Sequence, residues 1–192
     1  DNDFENIDAV IGPLTPKNFE NAASELRKYN VPIISPIGTN LQLHSNVFQS
    51  RPSDDLLKSK IISFVRADTL VSNIIAISDT KNREVANSIK REFNHAALIE
   101  SRKDKETGKD EYYVSVDDIK NVLKPGKNIV FLETENGGFA SNVTSVLASL
   151  IQKENKEEKE AAIDIVLVTT NNNAAFEGDN VSNEHLSKLQ FH

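Results

Sequence analysis

Short β-rich runs alternate with amphipathic helical patterns along this chain, and that alternation constrains the fold more than any other feature. The strand-like runs are residues 8–12, 31–35, 73–78, 96–100, 128–133 and 163–169. Strands that alternate with helices are typical of repeated βαβ units. We therefore predict an α/β fold with a mostly parallel β-sheet and helices on both faces.

Residues 129–132 and 163–168 are the best candidates for central strands, because both runs are almost continuously apolar. A strand of a parallel sheet is covered on both faces and has that composition. These two runs are therefore predicted to form the core of the sheet.

Capping residues and apolar spacing locate the first two helices. Thr15 is the predicted N-cap of the first helix, with Pro16 at the first helical position. Its predicted buried face consists of Phe19, Ala22, Ala23, Leu26 and Tyr29. Ser53 is the predicted N-cap of the second helix, where Asp54 and Asp55 suit the positive end of the helix dipole. Its predicted inward residues are Leu57, Ile61, Phe64 and Val65.

Three further helices are predicted at residues 82–93, at residues 116–123 after a Ser115 cap, and from about Gly138 onward. Gly108 indicates a turn, so residues 111–114 are predicted to pair with the preceding strand as a hairpin extension. Residues 153–160 are almost all Lys and Glu, and we interpret them as a solvated helix end or a loop.

The composition excludes several classes of function. The chain has 192 residues, no Cys, and a net charge of -7 with acidic and basic residues mixed, which argues against disulfides and against a nucleic-acid partner. No apolar run approaches the roughly 18 residues that cross a bilayer, and residues 1–20 lack the pattern of a signal peptide. The four histidines lack metal-ligand spacing, so we expect no metal. Residues 134–138 match neither the dinucleotide-binding glycine pattern nor a phosphate loop, and we expect no other cofactor. Because the chain has no Met, we interpret it as a piece of a longer protein.

The first two predicted strands run into loops, residues 12–16 and 35–40, that contain small polar residues such as Thr15, Ser35 and Thr39. In a parallel α/β sheet, ligands bind outside the carboxyl ends of the strands. Both loops are therefore predicted to lie at one candidate site.

The run from Val10 to Asp55 resembles the type I periplasmic binding proteins, specifically the branched-chain amino acid receptors and their receptor-ligand-binding relatives. The resemblance rests on Ile11-Gly12-Pro13, Asn30-Val31-Pro32-Ile33-Ile34-Ser35-Pro36, Gly38-Thr39-Asn40, Val47-Phe48-Gln49 and Arg51-Pro52-Ser53-Asp54. Residues 73–79, followed by a helix, are similar to the start of that family's second lobe. The resemblance covers most of the chain, weakly after about residue 100.

The resemblance implies two Rossmann- or flavodoxin-like lobes with a small ligand clamped between them. Residues 1–52 would then be part of the first lobe, and residues 53–192 an incomplete second lobe. It also implies a periplasmic or cell-envelope location, with any export signal outside this sequence.

In the first lobe, the resemblance implies that the ligand contacts are Leu14, Thr15, Ser35, Gly38 and Thr39. Their hydroxyls and backbone N–H groups at a helix N-terminus can hold a carboxylate without a basic side chain. The alternative is that Thr15 and Ser35 only cap a helix or close a turn.

In the second lobe, Asp79, Thr134 and Glu135 follow predicted strands and are candidate contacts. The alternative for residues 134–138 is a Gly-rich turn into a helix, and residues 169–173 are either polar contacts or a loop. Amino acid receptors of this family commonly have an aromatic-Gly pair after the second-lobe Asp. Here Thr80-Lys81-Asn82-Arg83 replaces it.

The leading hypothesis is a non-catalytic recognition domain that holds a small polar ligand, such as an amino acid or a peptide. One alternative is a ligand-free interaction scaffold of the bacterial cell envelope with an envelope protein as partner, which the missing aromatic residue favours. A flavodoxin-like or receiver-like switch is a further alternative, and it would need acidic partners for Asp79. A homodimer is also predicted, because a partial receptor exposes surface that further segments would cover.

Overall fold

The computed structural model describes residues 6–68, 73–151, 162–170, 173–177 and 179–192. Within these ranges the chain is an α/β protein, as predicted, and all neighbouring strands of its two sheets are parallel. One sheet has three strands and the other has four. The chain divides into two compact units, unit 1 up to Leu57 and unit 2 from Lys58.

Unit 1 is built from a short sheet and one helix. Its elements are β1 (Val10–Ile11), α1 (Pro16–Arg27), β2 (Ile33–Ser35) and β3 (Val47–Gln49), with strand order β1-β2-β3. α1 follows Thr15 as predicted, and its apolar side packs against one face of the sheet. The buried side chains of this core are Phe19, Ala23, Leu26, Val31, Ile33 and Val47. β3 is not among the six predicted strands.

The other face of the unit 1 sheet carries exposed apolar side chains. Ile11 pairs with Ile34, and Ile34 pairs with Phe48, so the three residues form a row across the sheet. Ile11 is 75% exposed and Phe48 is 54% exposed. We call Ile11, Ile34 and Phe48 the apolar row. An exposed apolar row is unusual in a parallel sheet, because such sheets are normally covered on both faces.

Unit 2 contains the four-stranded sheet, in the order β5-β4-β6-β7. Its strands are β4 (Asn73–Ser78), β5 (Ala97–Glu100), β6 (Gly126–Glu133) and β7 (Ile163–Val168). The helices are α2 (Asp54–Ala67), which begins in unit 1, α3 (Arg83–Glu92), α4 (Val116–Lys120), α5 (Gly137–Leu150) and α6 (Asn183–Lys188). A 3-10 turn, Asn173–Phe176, and α6 are elements that the sequence pattern does not predict.

Helices cover both faces of the unit 2 sheet. Successive side chains of a strand point to opposite faces, so each strand contributes apolar residues to two separate layers. The layer with α2 and α3 contains Ile62, Val65, Ile74, Ala76, Ala86, Ile89, Phe93, Ala96, Ile129, Phe131, Val166 and Val168. The layer with α4 and α5 contains Ile75, Ile77, Ile119, Val130, Leu132, Phe139, Val143, Leu147, Ile165 and Leu167. Residues 129–132 are therefore confirmed as a central strand, β6, whereas residues 163–168 form β7, which is buried but lies at the edge of the described sheet.

Two predicted helix faces are wrong in part. Tyr29 lies beyond the end of α1 and is exposed. Phe64 is 48% exposed, and Ile62 takes the buried position beside Val65. Four of residues 61–65 are apolar, so spacing alone does not decide which side of α2 faces the sheet.

α4 is shorter than predicted and ends at Lys120 instead of residue 123. Its Ser115 cap is confirmed: Ser115 Oγ accepts from the Asp118 backbone N–H, and the Asp118 carboxylate accepts from the Ser115 backbone N–H. α5 begins at Gly137, close to the predicted start. The charged residues 153–160 lie outside the described residues.

The predicted hairpin extension is present in a looser form. Lys103 and Asp110 form an isolated antiparallel bridge. The Arg102 N–H donates to the Tyr113 carbonyl, and the Glu111 N–H donates to the Arg102 carbonyl, both at 2.9 Å. Residues 111–114 are not a regular strand. We call residues 101–115 the β5–α4 hairpin.

Candidate functional site

The strand order of unit 2 creates a switch point at the carboxyl ends of β4 and β6. From β4 the chain continues to β5 on one side and then crosses to β6 on the other side. Ligands of open α/β sheets bind in the crevice at such a point. Asp79 follows β4, and Thr134 and Glu135 follow β6. The structure therefore brings together the three residues predicted for the second lobe.

Asp79 and Thr134 form the buried part of the switch point. Thr134 Oγ1 donates to Asp79 Oδ2 at 2.5 Å, and both side chains are almost completely buried. Asp79 Oδ1 accepts from the backbone N–H and the side-chain amide of Asn82, both at 2.9 Å. These bonds fix the loop before α3 to the loop before α5. They give Asp79 and Thr134 a supporting role, because neither side chain reaches the surface.

Lys81 and Glu135 form an ion pair between the same two loops. Their side chains are 69% and 56% exposed, so both charges face solvent. The hydrogen bond and charge of Glu135 raise the pKa of Lys81 above its usual value, with smaller contributions from Asp79 and Tyr112. Lys81 is not among the predicted site residues. Its sequence signal was its place in residues 80–83, which stand where the amino acid receptors that the sequence resembles commonly have an aromatic-Gly pair.

The loop that carries Glu135 is held in place by its own hydrogen bonds. The Asn136 N–H donates to Thr134 Oγ1 at 3.0 Å, and Asn136 Oδ1 accepts from the Phe139 N–H at 2.9 Å where α5 begins. The alternative of a turn into a helix is therefore confirmed for residues 134–138, and this turn presents the exposed Glu135 carboxylate at the switch point. A loop fixed in advance loses less conformational entropy on binding.

The predicted polar run at residues 169–173 is described only in part. The Thr170 N–H donates to Glu133 Oε1 at 2.9 Å, and both residues are buried. This bond joins the ends of β6 and β7. Asn171 and Asn172 lie outside the described residues, and Asn173 begins the 3-10 turn.

In unit 1, Leu14 and Thr15 lie at the carboxyl end of β1 and are exposed. Thr15 occupies the N-cap position of α1, but its side chain makes no capping hydrogen bond. Thr15 is therefore the N-cap residue by position, as predicted, but its hydroxyl does not cap the helix. That hydroxyl stays exposed at the start of α1.

Ser35, Gly38 and Thr39 form the loop after β2. Ser35 is buried, and its Oγ accepts from the Gly38 N–H at 3.0 Å, which is the turn-closing alternative. A Cβ on Gly38 would lie 2.8 Å from both Ser35 Oγ and a Leu41 methyl carbon, so only glycine fits there without a shift. The Thr39 carbonyl accepts from the Gln49 amide at 3.0 Å. This loop is thus tied to β3, and Gln49 is a supporting residue that the sequence does not predict.

The Lys81 ammonium group and the Glu135 carboxylate are accessible charged groups at the switch point. Within the described ranges, no three His, Asp or Glu side chains are grouped closely enough to hold a metal ion. No helix in the described part of the chain combines the length and the apolar composition that a bilayer span requires.

Comparisons of the sequence with protein-family models and with curated proteins found no match. The fold itself defines the class of the chain, an α/β protein with parallel sheets, in which unit 2 has the strand order of flavodoxin-like folds.

Proposed function

We propose that the chain is a non-catalytic ligand-recognition protein, similar to the amino-acid-type periplasmic binding proteins. Its ligand is a small zwitterion, an amino acid or a short peptide, and the Lys81–Glu135 pair binds it. The observation that carries this proposal is that an exposed ion pair spans the switch point.

An exposed ion pair is well suited to exchange partners with a zwitterion. Such pairs contribute only about 0–1 kcal/mol to stability, so opening one costs little. The Lys81 ammonium would take the ligand's carboxylate, and the Glu135 carboxylate would take the ligand's ammonium. Two charge-assisted hydrogen bonds would replace the internal one.

A binding function without catalysis fits the burial of the remaining polar groups. The Thr134 hydroxyl donates to the Asp79 carboxylate, an arrangement that could activate a nucleophile. Both side chains are buried, however, so a substrate does not reach them in this conformation. The resemblance to periplasmic receptors further supports an exported protein of the bacterial envelope.

The test is a calorimetric titration of the chain with glycine, L-leucine, L-phenylalanine and Ala-Ala, with glucose as an uncharged probe. We expect a zwitterion to bind and glucose not to bind. Lys81→Gln and Glu135→Gln should each weaken binding at least tenfold, because each removes one charge partner.

The matched control is the Glu25–Lys28 pair of α1, whose side chains are 51% and 65% exposed. Glu25→Gln and Lys28→Gln remove the same kinds of charge at an ordinary helix surface and should leave the affinity unchanged. No heat from any zwitterion, or equal losses in both pairs of variants, would overturn the proposal.

A second candidate is a ligand-free interaction scaffold of the cell envelope. The apolar row of unit 1 favours it, because exposed apolar surface of this kind is typical of protein-binding sites. The same titration distinguishes the two candidates, since a scaffold would bind none of the small probes.

A further inference from the structure

A small cavity opens between α1 and the loop from β2 to β3, and its lining belongs entirely to unit 1. Its volume is about 190 Å³. On the α1 side, Phe19 and Ala23 lie one helical turn apart and are buried, so they form an apolar floor. Glu20 and Ser24 form the adjacent row of the helix and are exposed. An apolar floor with a few polar groups beside it is typical of small-molecule sites.

The loop from β2 to β3 supplies the opposite side of the cavity. Leu41 is partly buried and packs against the core of unit 1, so it extends the apolar floor. Gln42 and His44 are exposed and extend the polar edge. The side chains of this edge that have no hydrogen bond or ion pair with any of the described residues are Glu20, Ser24, Gln42 and His44. Their polar atoms are therefore open to a ligand.

The cavity is preformed, because hydrogen bonds tie the loop to the rest of unit 1. The Asn46 side-chain amide donates to the Ala23 carbonyl at 3.0 Å and to the Val31 carbonyl at 3.3 Å, so the end of the loop is held against α1. At the start of the cavity wall, the Leu41 N–H donates to Gln49 Oε1 at 3.4 Å. A site that is fixed in advance loses less conformational entropy when a ligand binds.

We propose that this cavity binds a small aliphatic amine, with the apolar body of the amine on the floor and its ammonium group at Glu20. Of the described residues that line the cavity, Glu20 carries a carboxylate and none is Lys or Arg, so the local charge favours a cation. An ammonium group has three N–H donors, and Ser24, Gln42 and His44 offer further acceptors.

The size of the cavity limits the ligand. A volume of about 190 Å³ is the share of about six water molecules in the liquid. An amine with about six non-hydrogen atoms therefore matches it. This site is separate from the ion pair of the proposed function, because all of its lining residues belong to unit 1.

The experiment is an NMR titration of the chain at pH 8, where an alkyl amine is protonated. The probe is isopentylamine, with isopentanol as its uncharged analogue and isovalerate as its anionic analogue. We expect the amine to move the amide signals of Phe19, Ala23 and Leu41. It should bind about fivefold more tightly than the alcohol, the effect of one exposed charge pair, and isovalerate should not bind.

Glu20→Gln tests the charge partner. It should remove the advantage of the amine over the alcohol and leave the affinity for the alcohol within about twofold, because only the charge is lost. Glu25→Gln is the matched control, since it removes the same charge from the same helix where Glu25 pairs with Lys28. That variant should keep the preference for the amine.

Ser24→Leu tests the cavity itself. The larger side chain at this exposed position should fill the cavity and weaken both the amine and the alcohol about fivefold or more. Asn21→Leu is the matched control, because it adds the same side chain at an exposed position of α1 that does not line the cavity. Both affinities should stay unchanged in that variant.

Three results would overturn the proposal. The first is that isopentylamine moves none of the cavity signals, or moves those around Glu135 instead. The second is that Glu20→Gln keeps the preference for the amine, which would exclude Glu20 as the charge partner. The third is that Ser24→Leu leaves both affinities unchanged, which would place the bound amine outside the cavity.

Discussion

The two units apply the same βα construction to different degrees. In unit 2, alternate residues of β4, β6 and β7 are buried against helices on both faces of the sheet. In unit 1, only the face toward α1 is buried, and the apolar row is exposed on the other face. Parallel strand pairing therefore does not by itself ensure that both faces of a sheet are buried. Burial on both faces depends on having enough crossover helices.

The largest difference that we expect concerns the aromatic residues of the two sheets. Phe131 is fully buried in unit 2 and packs against Phe93, with ring centroids 5.9 Å apart. Phe131→Ala should lower the free energy of unfolding by about 3–5 kcal/mol through lost burial and a cavity. Phe48→Ala, on the apolar row, should change it by about 0.5 kcal/mol or less. Urea denaturation followed by circular dichroism measures both, and equal losses would contradict the difference in burial.

A smaller difference is expected for the buried amides. Asn128 donates to the carbonyls of Lys124, Gly126 and Asp164 and accepts from Asn73 and the Lys124 N–H. Asn128→Leu leaves several buried groups without partners, so we expect a loss of about 3 kcal/mol.

Asn46 of unit 1 is the comparison. It donates to two carbonyls, and its Oδ1 is buried without a hydrogen-bond partner among the described residues. Asn46→Leu should cost only about 1 kcal/mol, since it also removes an unsatisfied acceptor. A greater loss for Asn46→Leu than for Asn128→Leu in the same denaturation assay would refute this order.

Acid should weaken unit 2 through Asp118. The pKa of Asp118 is lowered to about 2 by its hydrogen bond to Arg102 and by bonds from Ser115. A lowered pKa stabilises the folded state above the unfolded value of 3.8, and this contribution is lost as pH falls from about 4 toward 2. With solvent screening of this partly exposed pair, we expect about 1 kcal/mol.

The measurement is the stability difference between wild type and Asp118→Asn at several pH values. The difference should be greatest near pH 6, should shrink as pH falls through 3.8, and should vanish only below the folded-state pKa of about 2. In unit 1, the pKa of Lys28 is raised by Glu25, so Lys28 stays protonated throughout this window. A difference that does not depend on pH would show that the Arg102 contact is not formed in solution.

The smallest effect on stability is expected for Phe48→Lys on the apolar row. If that row is the contact surface of the predicted homodimer, Phe48→Lys should abolish self-association while changing stability by less than about 1 kcal/mol. Phe64→Lys is the matched control, because Phe64 is similarly exposed and lies in unit 2. Sedimentation velocity at high protein concentration distinguishes them, and a wild type that stays monomeric would contradict the homodimer.

The fold was largely predictable, because its signals are local. Continuous apolar runs identified β6 and β7, and Ser115 and Pro16 marked two helix starts. The errors arose where tertiary packing decides. Ile62 and Phe64 are equally apolar, and only contact with the sheet selects Ile62. β3 is too short for its own pattern and exists because it pairs with β2.

The site was predictable by position but not by role. Strand ends placed Asp79, Thr134 and Glu135 correctly at one edge, since the carboxyl ends of parallel strands share it. The sequence did not indicate that Asp79 and Thr134 are buried against each other while Lys81 reaches Glu135. The sequence also did not indicate the bond from the Thr80 N–H to Asp110, because these two residues are 30 positions apart in the chain.

The apolar row also has a consequence for the solubility of the chain. At pH 7 the net charge of -7 keeps molecules apart. Near the isoelectric point, about 5.2, that repulsion disappears while the apolar row stays unchanged. Precipitation should therefore set in close to pH 5, well above the pH at which Asp118 is protonated. The lower pH limit for handling this protein is then set by precipitation and lies above the pH at which Asp118 loses its charge.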